Sequence, residues 1–404
     1  MTAPGKLDES LREAGLYMLE LVRAALQNTP AKPKPERVPW QTVYLMAAAS
    51  SLDVLAYYGL LQAPEKPDEE SMKLWKKNIW QTVIRQTQLD EDRAFLSRLM
   101  DEQGIDYLPM KGAYIQTLYP KREMRQMSDN DILYRLHENP QQGLKGASQK
   151  AMKELMEKAG ARVISTDGIV DVFLLGQTSL FEMHREFLGP DQPLHDYFDQ
   201  TWNRAGKCSD GCGEYSLSAE DHYILMLAHS WKHFRSGGCG PREIVDAWQY
   251  RQSLENAMNE DYVAKQLKLT GLSEYEALLR RLGRFIFEEG LLCQEDQERL
   301  DYFLGSGTYG NRENAIRNAL VQMEEEGKTP KEARNAYLWK RLFPEKAYLE
   351  THFPFFSRHR WLIGFLLIYR GTRALFVRRK AVSDELRNLK KVSGKEDHNS
   401  DNPD

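Results

Sequence analysis

The chain has 404 residues, and at about 150 residues per domain this length allows two or three domains. Its 55 Lys and Arg against 59 Asp and Glu leave a formal net charge of −4, which excludes the strong basic excess of a protein that coats nucleic acid. The 41% hydrophobic and 28% charged residues make an ordinary globular mixture, so disorder along the whole chain is excluded.

The first hundred residues read as helices. Leu7 to Gln27 carries Leu11, Leu16, Leu19, Leu21 and Val22 at helical spacing and ends at a Pro/Lys-rich linker. A second helix is expected over Trp40 to Leu61, nearly apolar throughout, and a third over Glu69 to Gln103, stopped by Gly104. Short β-rich runs follow at Ile105 to Met110, Asp131 to Tyr134, Ala161 to Ser165, Ile169 to Leu175 and Ser179 to Met183. A helix from Gln149 to Ala159 separates the second run from the third. These elements predict a small α/β domain, and the helical period returns from Ser218 to Leu342.

The fold class expected is therefore α+β: a small mixed-sheet core flanked by N-terminal and C-terminal helical regions. The divisions expected are a helical region at 1–95, the α/β core at 96–190, a helical domain at 191–345, a basic amphipathic segment at 346–390 and a disordered tail at 391–404. Four cysteines cannot build a disulfide framework, and the first residues lack the pattern of a secretion signal, so a cytoplasmic protein is expected. No stretch approaches the roughly 18 apolar residues of a membrane span. The nearest, Trp361 to Val377, is interrupted by Arg370 and Arg373. That basic segment could lie on an anionic membrane or meet an acidic partner, although a packed terminal helix with a solvated basic face is the commoner explanation.

The chemistry concentrates in Asp129-Asn130-Asp131. Two acids two apart on an extended chain project from the same face, repel one another, and are relieved by a divalent cation. Asp-x-Asp also occurs as a solvated turn. Lys111-Gly112 follows the preceding strand, where bare backbone can approach a phosphate and an ammonium can neutralise it. Glu182, inside a later strand, needs a partner, and the same metal would serve.

Leu108-Pro-Met-Lys-Gly112, Leu118-Tyr-Pro120, Arg125, Asp129-x-Asp131 and Phe181-Glu-Met-His184 resemble the uncharacterised nucleotidyltransferase family of the polymerase-β-like superfamily. The resemblance extends through His229-Ser-Trp-Lys-His233, Gly237-Gly238 and Arg242-Glu-Ile-Val-Asp246 to Leu342-Phe-Pro. It implies an enzyme moving an NMP from an NTP to an acceptor hydroxyl, with Asp129, Asp131 and Glu182 holding Mg²⁺, two ions in all, and Asp171 the rival third acid. It further implies that Lys111, Gly112, Arg125 and Ser128 contact the nucleotide. His229, Lys232, His233 and Arg242 would line the cleft or else satisfy buried partners, with Arg242 and Asp246 pairing nearby. The acceptor is expected to be a small molecule, peptide or protein, with no stable nucleic-acid partner. The alternative is a nucleotide-binding or regulatory protein of the same fold without turnover. Two departures bear on that choice. Lys111-Gly112 stands where many relatives have Gly-Ser or Gly-Gly, and Asn130 replaces a usually apolar residue, which predicts a less buried strand.

Three other patterns yield to plainer readings. His229-x-x-x-His233 lacks the Glu a zinc protease needs after the first His, since Ser230 stands there. Cys208 and Cys212 lack a second close pair for zinc. Gly305-Ser-Gly-Thr-Tyr-Gly310 follows a helix-like segment rather than a strand, so it reads as a loop and not as a dinucleotide site.

Overall fold

The computed structural model describes residues 7–136, 145–166, 168–189, 192–255 and 257–343, with a few positions between 359 and 392. The expected tail, most of the basic segment and Pro344 lie outside the described residues. Contacts gather the chain into two compact units. One comprises Lys6–Trp231 and Pro241–Leu304; the other includes Lys232–Gly240 and the described residues from Gly305 onward.

In the first unit α1 (Glu9–Gln27) opens with Asp8 accepting from the Ser10 amide and closes with Asn28 in the left-handed region. The single helix expected over Trp40 to Leu61 is two, α2 (Trp40–Ala49) and α3 (Asp53–Leu60). Ser51 adopts φ 52°, and the Leu52 amide bonds back to the Ala47 carbonyl at 2.9 Å. The break aims the buried Asp53 carboxylate at Asn78 Nδ2 (2.7 Å) and Gln126 Nε2 (2.8 Å), partners that apolar periodicity does not reveal. Where α3 crosses α1, a Cβ on Gly59 would lie 1.8 Å from the Leu21 carbonyl oxygen, so only glycine permits the approach.

The long α4 (Glu69–Glu102) leads into β1 (Ile105–Pro109), the short α5 (Gly112–Ile115), two 3₁₀ turns (Gln116–Leu118, Arg122–Met124) and β2 (Asp129–Leu136). Then follow α6 (Lys145–Lys158), β3 (Arg162–Thr166), β4 (Val170–Leu175) and β5 (Ser179–His184). The sheet order is β1-β2-β5-β4-β3, antiparallel throughout except for the central β2–β5 pair, which is parallel. The expected mixed-sheet α+β architecture is what the chain forms.

Alternation divides this sheet cleanly. Ile132, Tyr134, Phe181, Met183 and Phe173 point to one face, packed with Leu96 and Met100 of α4 and Met152, Leu155 and Met156 of α6. Burial of such side chains contributes roughly 1.5–3 kcal/mol each, so the sheet's register is set by this face. Asp129, Asp131, Glu182 and His184 have the opposite parity and are left on the other face. At the sheet's outer edge Tyr107 of β1 accepts one further bridge, from Glu214, and its amide donates to the Gly213 carbonyl at 2.8 Å.

The remaining elements are α7 (His195–Asp199), α8 (Thr201–Arg204), a two-residue ladder of β6 (Gly206–Lys207) and β7 (Tyr215–Ser216), and helices α9 (Ala219–Arg235), α10 (Arg242–Leu254), α11 (Glu260–Thr270), α12 (Ser273–Phe287) and α13 (Gln294–Ser306). In the second unit α14 (Arg312–Glu325) and α15 (Pro330–Leu342) pack through Ile316, Leu320, Met323 and Ala333, and a Thr329–Glu332 capping box starts α15. Gly305–Gly310 closes α13 and turns toward α14, with Gly307 and Gly310 at positive φ. Among the described residues no helix is long and apolar enough to cross a membrane.

Candidate active site

The parallel β2–β5 pair assembles the site. Asp131 stands directly opposite Glu182 and Asp129 opposite Leu180, so registered partners share a face and the three acids converge on it. His184, two residues past Glu182, joins them: its Nε2 lies 3.0 Å from Asp131 Oδ1 and 3.4 Å from Glu182 Oε2. Ligand atoms of Asp131, Glu182 and His184 all fall within 4.8 Å of one another. Lys111, with φ 49°, caps α5 and places its Nζ 2.5 Å from Asp131 Oδ1. A non-glycine residue at positive φ stores backbone strain, and such strain gathers at functional sites.

The charges are strongly coupled. Burial, then repulsion from Asp131 and Glu182, raises the Asp129 carboxyl to about 6, against the pull of Lys111 and Arg242. Asp131 is also buried, yet the Lys111 ammonium, the His184 bond and the charges of His184 and His229 draw its carboxyl far below the usual range. For Lys111 the attraction of the carboxylates outweighs desolvation, so its ammonium is held in the charged form. On His184 the outer nitrogen, Nδ1, is buried without a hydrogen-bond partner.

Behind this cluster lies a buried ion pair. Arg125 Nε meets Asp246 Oδ1 and Oδ2 at 2.9 and 3.0 Å, its Nη2 lies 2.9 Å from Oδ2, and the Tyr119 hydroxyl donates to Oδ1 at 2.6 Å. The expected pairing of Arg242 with Asp246 is therefore corrected: Arg125 and Tyr119 take both carboxylate oxygens. Arg242, first residue of α10, keeps its Nε buried and without a partner, and its charge acts on Asp129. Sequence reasoning grouped it with the cleft walls; the structure places it within electrostatic reach of the carboxylates.

The other anticipated residues fall as follows. The bare α-carbon of Gly112 faces Met127, whose Cγ would lie 3.1 Å from an added Cβ, so the space is already used for packing. Ser128 adjoins Asp129, and its carbonyl accepts from Arg85 Nη2 at 2.9 Å. Asp171 is opposite Met183 on the core-facing side and is tied to Arg185 and to Gln149 Nε2 (3.1 and 3.2 Å), away from the parity of Asp129, Asp131 and Glu182. His229 acts electrostatically on Asp131, whereas Lys232 and His233 belong to the other compact unit.

Asn130 corrects a second expectation. It is fully buried, because α4 satisfies both ends of its amide: Nδ2 donates to the Leu89 carbonyl (3.1 Å) and Oδ1 accepts from Arg93 Nη1 (2.9 Å). The residue that sequence reasoning left without a role is His184. The alternation that joined Asp129 to Asp131 applies equally to Glu182 and His184, and was signal enough to find it.

The profile of the family described as "uncharacterised nucleotidyltransferase" matches residues 36–287, more than half of the chain and the whole of the sheet described above. No curated protein and no solved structure matches it. From the family match, the chain belongs to the uncharacterised nucleotidyltransferases.

Proposed function

We propose that the protein transfers a nucleoside monophosphate from an NTP to an acceptor hydroxyl with the help of Mg²⁺, and that Asp129, Asp131 and Glu182 hold the ion. The observation that carries this reading is the convergence of the three acids on one sheet face through the β2–β5 register. The donors fit a divalent cation: they are carboxylate oxygens, and the repulsion that raises Asp129 is what a cation would relieve. When bound, the ion supplies Lewis-acid stabilisation of phosphate charge.

The chain's own residues do the rest. Lys111 and Arg242 bring positive charge to the carboxylates and would hold the triphosphate while the acceptor oxygen bonds to the α-phosphorus and pyrophosphate leaves. Gly112 and Ser128 flank that position in sequence and offer backbone and hydroxyl donors. Arg125, its charge spent on Asp246, would position α10 and hence Arg242 rather than touch phosphate. In this reading the core at 96–190 performs the transfer, and His229 of α9, whose charge reaches Asp131, takes part in selecting a small-molecule, peptide or protein acceptor in the cytoplasm.

A second reading, nucleotide binding without turnover, is favoured by one observation: Lys111 and His184 already engage Asp131 Oδ1. Incubation with labelled NTPs and Mg²⁺ separates the two. The active reading expects pyrophosphate release by the wild type, lost at least about a thousandfold in Asp129→Ala/Asp131→Ala, a loss of the size seen for direct transition-state contacts. Equal release from both proteins would sink it.

A further inference from the structure

We infer that His184 is a direct ligand of the catalytic cation and that the site therefore prefers a first-row divalent transition ion, for which Mn²⁺ is the probe, over Mg²⁺. This rests on the metal-assisted reading above and names a ligand and an ion selectivity that the three acids alone would not give.

The ring's placement carries the argument. His184 is 6% exposed, projects from the same sheet face as Glu182, and directs Nε2 between Asp131 Oδ1 and Glu182 Oε2 at 3.0 and 3.4 Å. Its Nδ1 has no hydrogen-bond partner, so no hydrogen bond on the far side of the ring competes with the carboxylates in orienting it. An imidazole wedged between two carboxylate oxygens, with the three ligand atoms within 4.8 Å, is a mixed oxygen and nitrogen donor set. Magnesium is a hard ion that favours oxygen and water, whereas imidazole nitrogen suits first-row transition ions.

Charge supports a single protein-held ion. Three carboxylates against the Lys111 ammonium and the Arg242 guanidinium leave one negative charge, which a single divalent cation more than offsets. The ammonium would remain in place as the second positive charge on Asp131, and any further ion would arrive with the nucleotide's own phosphates.

The test uses the full chain and Mn²⁺ alone, without nucleotide. Electron paramagnetic resonance counts bound Mn²⁺ by the loss of the free-ion signal, and electron spin echo modulation reports nitrogen coordinated to it. The expected result is one Mn²⁺ per chain with a ¹⁴N coupling that shifts on ¹⁵N-histidine labelling. That coupling should vanish in His184→Gln and persist in His229→Gln, and Mn²⁺ affinity in His184→Gln should fall at least about tenfold. The wild-type spectrum answers the question even where His184→Gln fails to fold. Mn²⁺ bound with no nitrogen coupling, Mn²⁺ displaced by an equal concentration of Mg²⁺, or no Mn²⁺ bound at all would each overturn the inference. Pyrophosphate release is read separately: turnover without nitrogen coupling removes His184 and leaves the transfer reading intact, while coupling without turnover does the reverse.

Discussion

His222 shows how one buried side chain makes stability depend on pH. Its ring stacks on Tyr114 with centroids 4.0 Å apart and planes 10° from parallel, and desolvation lowers its pKa from 6.5 to about 4. The unfolded chain therefore binds a proton that the folded chain refuses between those values. Stability is fully present above pH 6.5 and declines as the pH falls toward 4. His222→Phe keeps an aromatic partner for Tyr114 and removes the titration. Urea midpoints measured from pH 7.5 to 4.5 should fall for the wild type relative to the variant, and parallel curves would contradict the assignment. Legibility at this scale followed distance along the chain. Asp129 with Asp131, and Glu182 with His184, could be grouped because alternation is local. Asn130 could not be placed, because both its partners lie on α4, and neither could Asp246, whose partners Arg125 and Tyr119 lie more than a hundred residues earlier.

At the scale of elements, hydrophobic period gave the long helix and the strands along the chain, since each is written in its own residues. The break between α2 and α3 was hidden because its cause is tertiary: Asp53 turns inward to meet Asn78 and Gln126. The crossing of α3 over α1 depends on Gly59, where an added Cβ would meet backbone that cannot swing aside. Gly59→Ala should cost about 3 kcal/mol or more, since overpacking against backbone exceeds the usual 1–3 kcal/mol of a crowded core. Chemical denaturation measures this directly. A loss below about 0.5 kcal/mol would mean that the two helices separate freely.

Across the whole molecule, composition excluded a nucleic-acid coat and patterning gave the α+β class, but neither says which sheet face holds chemistry. That follows from α4 and α6 covering the other one. The opposite face stores like charge, so on the proposed reading stability and cation binding are coupled. A divalent ion at a hundred times its dissociation constant stabilises the unit that holds it by about 2.7 kcal/mol. In EDTA, Asp129→Asn should melt above the wild type, because the repulsion of Asp129 by Asp131 and Glu182 is removed while the Lys111–Asp131 ion pair is kept. Added Mn²⁺ or Mg²⁺ should raise the wild-type melting temperature and raise the variant's less. A variant that melts lower in EDTA and responds as fully to the ion would refute this coupling.

The single parallel pairing in the sheet also governs when the site can exist. Asp131 on β2 waits for Glu182 on β5, some fifty residues later, with β3 and β4 formed between them. Arg242 arrives later still, on α10. Non-local pairing of this kind pays its loop-closure entropy before any contact rewards it, which slows assembly. During synthesis the acids of β2 therefore leave the ribosome well before their partner, and a nascent chain ending short of residue 182 lacks the imidazole and the outer carboxylate alike. On the proposed reading, capture of a cation would belong to the finished sheet, and the growing polypeptide would carry no complete ion site.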